Sequence, residues 1–309
     1  MHRSDPLHAL RYIAIVWIAV GVVVNPATAQ ELSPRAYWPA PVGTKLLVVG
    51  YQYASGDIVT DPSLPVTGVD SQIHTGLLAY QQTLDVVGRT SNVQVELPYT
   101  SGTTTGTYLG QDARADVSGA GDLAVTFAIN LSGAPAMDRA AFREFLGAPS
   151  PVLGVSLKLV APTGQYDPDK LINIGTNRWA GRLQLGYIYP LGRGWALEGA
   201  VGAWVFQDND DFLGTTREQN WITSVELHCV KVFRSGVWTS ADANYYTGGR
   251  TTIGGDIKAD FQRNSRLGFT VAYPFARRHA VKLGMSSGVL TESGGDFLKL
   301  MLTYGLLIR

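Results

Sequence analysis

Hydrophobic and polar residues alternate with a period of two along most of the chain that follows residue 44. In the stretch 220–233, for example, one face carries mainly hydrophobic residues and the other carries Ser224, Glu226 and His228. The stretches 89–99 and 121–131 repeat the pattern. Such alternation is typical of β-strands whose two faces meet different surroundings.

Twelve segments carry this pattern, and most are ten to thirteen residues long. Tilted strands of about 9–11 residues cross a membrane, whereas strands of soluble proteins average about five or six residues. The sequence therefore predicts an all-β fold, an antiparallel transmembrane β-barrel of about twelve strands, with ten and fourteen left open. The predicted strands cover 45–54, 72–82, 89–99, 121–131, 152–161, 178–189, 195–207, 220–233, 237–247, 265–273, 279–287 and 297–308.

The connections between these segments are alternately long and short, as in outer-membrane barrels with long outer loops and short periplasmic turns. The exception is 132–151, which is long on the predicted periplasmic side. There, 137–147 is predicted to form a short amphipathic helix with Phe142, Phe145 and Leu146 on one face. The Thr- and Gly-rich stretch 102–110 is predicted to be a mobile outer loop.

Aromatic residues near the ends of the predicted strands indicate the two membrane boundaries, where barrels carry aromatic girdles. Tyr and Trp also favour strands in general, so this signal adds weight only together with the loop lengths. The residues concerned are Tyr51, Tyr53, Tyr99, Trp179, Tyr187, Tyr189, Trp195, Trp221, Tyr245, Tyr246, Tyr273 and Tyr304.

Composition excludes several other classes of protein. The chain has 25 basic and 25 acidic residues, so no positive excess points to nucleic acid as a partner. A single Cys excludes a disulfide framework and a thiolate zinc site. With 45% hydrophobic and only 16% charged residues, the chain is either a β-rich soluble protein or a protein solvated partly by lipid. A soluble β-sandwich fits the strand lengths less well.

Residues 1–29 are predicted to be a cleaved signal peptide. Arg3 and Arg11 supply positive charge before the apolar run 12–24. Residues 27–29 are Ala-Thr-Ala, which matches a cleavage site before Gln30. The apolar run is short for a membrane-spanning helix. We therefore expect secretion across the inner membrane, a single barrel domain over 30–309, and a location in the cell outer membrane.

The polar faces of the strands are expected to line the barrel interior. The predicted pore-lining residues are Glu96, Lys158, Arg182, Glu198, Trp204, Glu226, His228, Trp238, Asp242, Lys282 and Lys299. The same faces carry Asp122, Arg266, Phe206 and Tyr246. An isolated buried charge is costly, so the charged groups form either an internal lattice of ion pairs or a hydrated pore with little preference for ion sign. The aromatic residues either stack with solutes or fill the interior.

No catalytic, metal or cofactor site is predicted. Ser224 and His228 share one strand face but lie about 13 Å apart along it, too far for a nucleophile–base hydrogen bond. The acidic run 208–211 lacks the Gly and the terminal Glu of an EF-hand loop. Cys229 is expected on the lipid side. After residue 29 the histidines are His74, His228 and His279, too few and too scattered to indicate a catalytic or ligand role. Two alternatives stay open: an outer-membrane lipid or ester hydrolase with its catalytic pair on different strands, and a closed structural or adhesive barrel.

Short motifs along most of 40–309 resemble the outer-membrane barrels called "putative MetA-pathway of phenol degradation". In order, they are Val95-Glu-Leu-Pro-Tyr99, Gly119-Ala-Gly-Asp-Leu123, Lys158-Leu-Val-Ala-Pro-Thr-Gly-Gln-Tyr-Asp167, Asn173-Ile-Gly-Thr-Asn-Arg-Trp179, Tyr246-Thr-Gly-Gly-Arg-Thr251, Asn264-Ser-Arg-Leu-Gly268 and the stretch 297–304. The resemblance implies a Gram-negative outer-membrane transporter that admits aromatic or other small hydrophobic compounds. It brings no catalytic residues.

From this resemblance we expect a channel or transporter for passive uptake of small solutes. Its partners would be outer-membrane lipid, the solutes and the barrel assembly machinery. Chains of this class usually end in Phe or Trp, the signal for assembly, whereas this one ends with Leu306, Leu307, Ile308 and Arg309. Tyr304 is the aromatic residue expected in that role.

Overall fold

A computed structural model describes residues 32–58, 66–292 and 296–308, so the predicted signal peptide lies outside the described residues. The regular elements of the described chain are all β-strands apart from one helix, α1, at Arg139–Gly147. The strands are β1 (Lys45–Gly56), β2 (Val66–Val86), β3 (Arg89–Tyr108), β4 (Gln111–Ala120), β5 (Leu123–Ser132), β6 (Val152–Ala161), β7 (Ala180–Gly192), β8 (Trp195–Phe206), β9 (Asn209–Phe212), β10 (Thr215–Gln219), β11 (Ile222–Val232), β12 (Trp238–Gly248), β13 (Thr251–Ile253), β14 (Asp256–Ile257), β15 (Gln262–Phe275), β16 (His279–Leu290) and β17 (Phe297–Ile308).

The first and last strands pair with each other and close the sheet into a ring. β1 and β17 are antiparallel from Lys45↔Ile308 to Gly56↔Phe297, and β2 pairs with both β1 and β3. The strands of the ring are β1, β2, β3, β5, β6, β7, β8, β11, β12, β15, β16 and β17. Closure leaves no unpaired strand edge, which is the condition for a sheet to cross lipid. The predicted antiparallel barrel is confirmed, with twelve strands in its wall.

The alternation in sequence corresponds to an outer and an inner face of this wall. Leu183, Leu227 and Leu267 each expose more than half of their surface on the outside, whereas residues next to them in sequence point inward and are buried, namely Arg182, Gln184, Glu226, His228 and Arg266. Trp179 and Trp221 are also exposed on the outside, at the ends of their strands, as expected of a girdle. Tyr246 is the exception among the predicted girdle residues, because it is fully buried inside the barrel.

The two ends of the barrel differ, and we call the end with the long loops the outer end and the end with the short turns the inner end. At the outer end, β9, β10, β13 and β14 pair into a separate four-stranded sheet from two loops. The prediction of a mobile loop at 102–110 is wrong. β3 continues to Tyr108 and pairs in register with β4, because Thr-rich strands satisfy their backbone groups in a hairpin as well as apolar ones do.

The predicted helix of the long inner-end connection is confirmed as α1. Asp138 caps it by accepting hydrogen bonds from the N–H groups of Ala140 and Ala141. Phe142 is buried, and Phe145 and Leu146 pack against the same apolar cluster. α1 is not long and apolar enough to cross a membrane. Its apolar face instead covers the inner mouth of the barrel.

Replacing Leu227 with Arg tests the lipid-facing surface. Leu227 lies in the middle of β11, and an Arg at the bilayer midplane costs about 2–4 kcal/mol, falling to about 0–1 kcal/mol near the interface. We expect Leu227→Arg to lower the free energy of unfolding in vesicles by that larger amount. Thr223→Arg on the same strand, near the boundary marked by Trp221, is the matched control. Equal losses for the two variants would contradict a membrane-embedded outer face.

Candidate functional site

The segment 32–42, which we call the plug, lies inside the barrel instead of joining its wall. Arg35 and Tyr37 expose 1% and 5% of their surface. Where the plug leaves the lumen, the N–H of Val42 donates to the carbonyl of Met137, and the N–H of Gly43 donates to that of Thr83. The plug therefore joins the barrel interior to the covering connection that contains α1.

Tyr37 sits in a slot formed by two paired glycines. Gly154 on β6 lies opposite Gly186 on β7, and a Cβ at either position would overlap the Tyr37 ring. Beyond the slot, the Tyr37 hydroxyl lies 2.9 Å from Ser156 Oγ and donates to Gln184 Oε1 at 3.0 Å. The absence of two side chains thus creates the space, and two polar side chains fix the orientation of the ring.

Arg35 ties the plug to the next strands of the wall, β8 and β12. Its N–H donates to Glu198 Oε2 at 2.6 Å, and its guanidinium lies 4.4 Å from the ring centroid of Trp38 and 5.5 Å from that of Trp238. Its φ of +67° turns the chain inside the lumen. Cation–π contacts of this kind strengthen when water is excluded. The N–H of Ser33 also faces Glu226 Oε2, at 3.4 Å.

Charged side chains in the middle of the lumen pair across one intervening strand. Lys158 Nζ lies 3.0 Å from Glu96 Oε2, and Arg182 Nη1 lies 3.7 Å from Glu226 Oε1. Both pairs are almost fully buried, where an unpaired charge would be costly. Of the two interpretations of the interior charges, the lattice of ion pairs is the arrangement that these contacts form.

His228 extends this lattice to a second carboxylate. Its Nδ1 lies 2.8 Å from Asp242 Oδ1, and its Nε2 lies 3.6 Å from Glu226 Oε2. Ser240 and Thr270 donate to the other oxygen of Asp242. Ser224 takes no part in the hydrogen bonds described for His228. The two carboxylates fix the orientation of the His228 imidazole within the lattice. Ser240 bonds to Asp242 and not to the imidazole, so Ser240 and His228 are not arranged as a nucleophile and its base.

Apolar clusters fill the lumen on both sides of these charges, one toward the outer end and one at the inner end. Near the outer ends of the strands, Trp204 and Tyr246 are fully buried in a cluster with Ile222 and Val160, and Phe206 stacks on Trp204 with ring centroids 6.4 Å apart. At the inner end, the cluster contains Tyr37, Met137, Phe142, Val152, Ile188 and Ala196. Trp38 packs edge-on against Phe145 there, at 5.9 Å.

Three internal spaces of the described barrel border the plug, and the larger two differ in what lines them. One, with an empty volume of about 490 Å³, is bounded by Ala36 and Tyr37 of the plug and by Gln94, Lys158 and Gln184 of the wall. The other, of about 340 Å³, lies between Leu32 and the strands that carry Asp242, Lys299 and Met301. Both volumes include space that is open to solvent. The polar lining of the first suits water or hydroxylated molecules, since apolar solutes would leave its groups without partners.

The predicted pore-lining residues all face this interior. Each of the eleven exposes 7% or less of its surface, namely Glu96, Lys158, Arg182, Glu198, Trp204, Glu226, His228, Trp238, Asp242, Lys282 and Lys299. That they line a conducting path stays a prediction. Arg266 is also inside, with its guanidinium 3.9 Å from the Phe297 ring centroid.

Asp122, expected in the lumen, instead fastens a loop at the outer end. It accepts hydrogen bonds from the N–H groups of Gly164 and Thr176 and from the Thr176 hydroxyl. Its position just before β5 explains the difference, because alternation assigns a face only to residues within the ladder. His74 faces outward, with its Nδ1 2.7 Å from the Tyr51 hydroxyl. Cys229 is partly exposed on the outward side, as expected.

The plug was missed by the sequence patterns, which describe only the wall. Its residues, Ser33-Pro-Arg-Ala-Tyr-Trp-Pro-Ala-Pro41, show neither helical nor strand periodicity. Their hydrogen-bond partners on the wall are 93 to 193 residues away in sequence. The density of Trp, Tyr and Arg between prolines was the available signal, because such residues are seldom left in a solvated linker.

The family model described as "Putative MetA-pathway of phenol degradation" matches residues 52–297. The chain belongs to this family. The resemblance seen in the sequence motifs is thereby confirmed. None of the curated protein sequences matches the chain.

Solved structures share the barrel fold of this family member. An outer-membrane channel from Pseudomonas putida F1 is 24% identical, with a TM-score of 0.74 over 90% of this chain and 100% of that one. The transport unit of the autotransporter AIDA-I from Escherichia coli is 9% identical, with a TM-score of 0.52 over 98% and 99%. The β domain of the Bordetella autotransporter BrkA is 12% identical, with a TM-score of 0.50 over 86% and 100%. The protein is an outer-membrane β-barrel.

Replacing Gly186 with Ala tests the seating of the plug. The added Cβ overlaps the Tyr37 ring, so we expect the plug to leave its slot. Its amide hydrogens should then exchange faster, because the N–H of Arg35 is protected only while it is bonded to Glu198. Hydrogen exchange of a peptide covering 35–38 measures this. Gly181→Ala on the same strand is the control, since its Cβ would meet neighbours at an ordinary 3.7 Å. Unchanged protection in Gly186→Ala would contradict the seat described here.

Proposed function

We propose that the protein is a channel for passive uptake of small aromatic or hydrophobic solutes across the outer membrane, and that the plug must move for a solute to pass. The observation that carries this proposal is the way the lumen is filled. A segment that belongs to neither the wall nor a loop occupies it, held by hydrogen bonds and ring contacts instead of by a strand ladder. Such contacts are individually modest, so the segment can leave without unfolding the wall.

The aromatic residues of the outer apolar layer support the choice of solute. Trp204, Phe206 and Tyr246 lie together inside the barrel near the outer ends of their strands, with Phe206 stacked on Trp204. Aromatic solutes stack on such rings in offset or edge-to-face geometry. Small ions gain nothing there, and sugars lose more hydration than aromatic solutes do, so the layer favours solutes with an apolar body. Family membership and the fold shared with a channel are consistent with this solute class.

Two other functions predict different behaviour. An outer-membrane hydrolase would lose lipid or ester hydrolysis on replacement of Ser224 or His228. A closed structural or adhesive barrel would admit no solute under any condition. The uptake of solutes into liposomes separates both from a channel, and the aromatic layer gives the sharpest variant for that measurement.

Trp204→Ala tests the aromatic layer. We expect the uptake of phenol-sized aromatic solutes relative to sugars of similar size to fall, because the ring that favours aromatics is gone and the space it leaves admits sugars. Liposome uptake with aromatic, sugar and ionic panels measures the ratio. Trp221→Ala is the matched control, since Trp221 is 69% exposed on the outer surface of the barrel. An unchanged ratio in Trp204→Ala, or equal changes in both variants, would contradict the assigned path.

A further inference from the structure

Three neighbouring turns at the inner end carry positive charge and no carboxylate. The turns 190–194, 233–237 and 274–279, with the strand ends beside them, contain no Asp or Glu. We call the following residues the basic arc: Arg193, Lys231, Arg234 and Arg278. Arg277 and His279 belong to the same turns.

The basic arc is continuous along one side of the barrel. Its turns join β7 to β8, β11 to β12, and β15 to β16, and these six strands are consecutive neighbours in the sheet. At about 4.8 Å between strands, they span roughly 24 Å of the rim. The rest of the inner rim differs, because there Asp85, Asp138 and Glu144 lie among the cations.

Contacts between the turns hold part of the arc in place. The N–H of Val232 donates to the carbonyl of Gly194 at 2.7 Å, and Lys231 Nζ donates to the carbonyl of Arg193 at 2.7 Å. Lys231 Nζ also lies 4.9 Å from the ring centroid of Trp195. The cations are therefore presented together from a fixed rim.

Exposed aromatic residues lie directly beside the arc on the outer face of the wall. Trp195 and Phe233 each expose 44% of their surface, and Tyr273 exposes 56%. Such rings mark the level of the lipid headgroups. The cations therefore lie at the depth where phosphate groups of the periplasmic leaflet are found.

We propose that the basic arc binds the headgroups of anionic phospholipids in the periplasmic leaflet. Basic clusters beside a membrane boundary attract anionic lipid, with each cation close to the surface strengthening binding about fivefold. Zwitterionic headgroups carry no net negative charge, so they would leave the positive charge of the arc without a counter-charge. The arc would give one side of the barrel a retained layer of anionic lipid.

The test is a competition between phosphatidylglycerol and phosphatidylcholine for the purified full chain in mixed micelles, with retained lipids counted by native mass spectrometry. We expect the wild type to retain several-fold more phosphatidylglycerol, with the preference falling as salt rises. The triple variant Arg193→Gln, Arg234→Gln, Arg278→Gln should lower the ratio toward one. The control Arg114→Gln, Arg250→Gln, Arg263→Gln removes the same charge at the outer end and should keep the preference.

A second measurement covers the case in which the triple variant does not fold. The fluorescence of Trp195 is the difference between the emission of wild type and that of Trp195→Phe, both in phosphatidylcholine vesicles. Phosphatidylglycerol brominated in its acyl chains should quench this signal more strongly than brominated phosphatidylcholine does. Equal quenching by the two lipids, or an unchanged lipid ratio in a folded triple variant, would overturn the proposal. Binding of peptidoglycan fragments to the arc without any lipid preference would also overturn it, because the occupant would then be a periplasmic polymer.

Discussion

The pairing of β1 with β17 is the constraint on which the rest of the structure depends. A backbone in lipid has no water to bond, so each strand needs a partner on both sides, and only a closed ring provides this. Once the ring is closed, a period of two divides every strand into an outer and an inner face. Leu227 and His228, adjacent in sequence, therefore meet lipid and the lumen respectively. The apolar belt and the polar interior are both consequences of closure.

The interior created by closure has to satisfy its own polar groups. Glu96 and Lys158 do so as a pair, and His228 lies between Glu226 and Asp242. Glu198 is matched by the plug, because the N–H of Arg35 donates to it. The same lattice that stiffens the wall thus also provides an attachment point for a segment that is not part of the wall. The polar contacts that stabilise the lumen therefore also help to hold the plug that fills it.

Much of the wall could be predicted from the sequence, because alternation is a local property. The predicted 152–161 and 297–308 coincide with β6 and β17, and the amphipathic spacing of Phe142 and Phe145 was sufficient for α1. What depends on distant partners could not be predicted. The plug has no period of its own, and its slot needs Gly154 and Gly186 to face each other across two strands. Asp122 lies just outside a strand ladder, where the alternation of side chains no longer assigns a face.

The central claim is that the plug occupies the lumen and must leave it for a solute to pass. Its most direct test is to replace Ala36 with the photocrosslinker p-benzoylphenylalanine, since Ala36 borders the internal space beside Gln184. Irradiation should join the plug to the wall, and mass spectrometry should find the crosslink on β6 or β7. Uptake of aromatic solute into liposomes should then fall to the level of empty liposomes. A crosslinked barrel that admits the solute at its original rate would contradict the account.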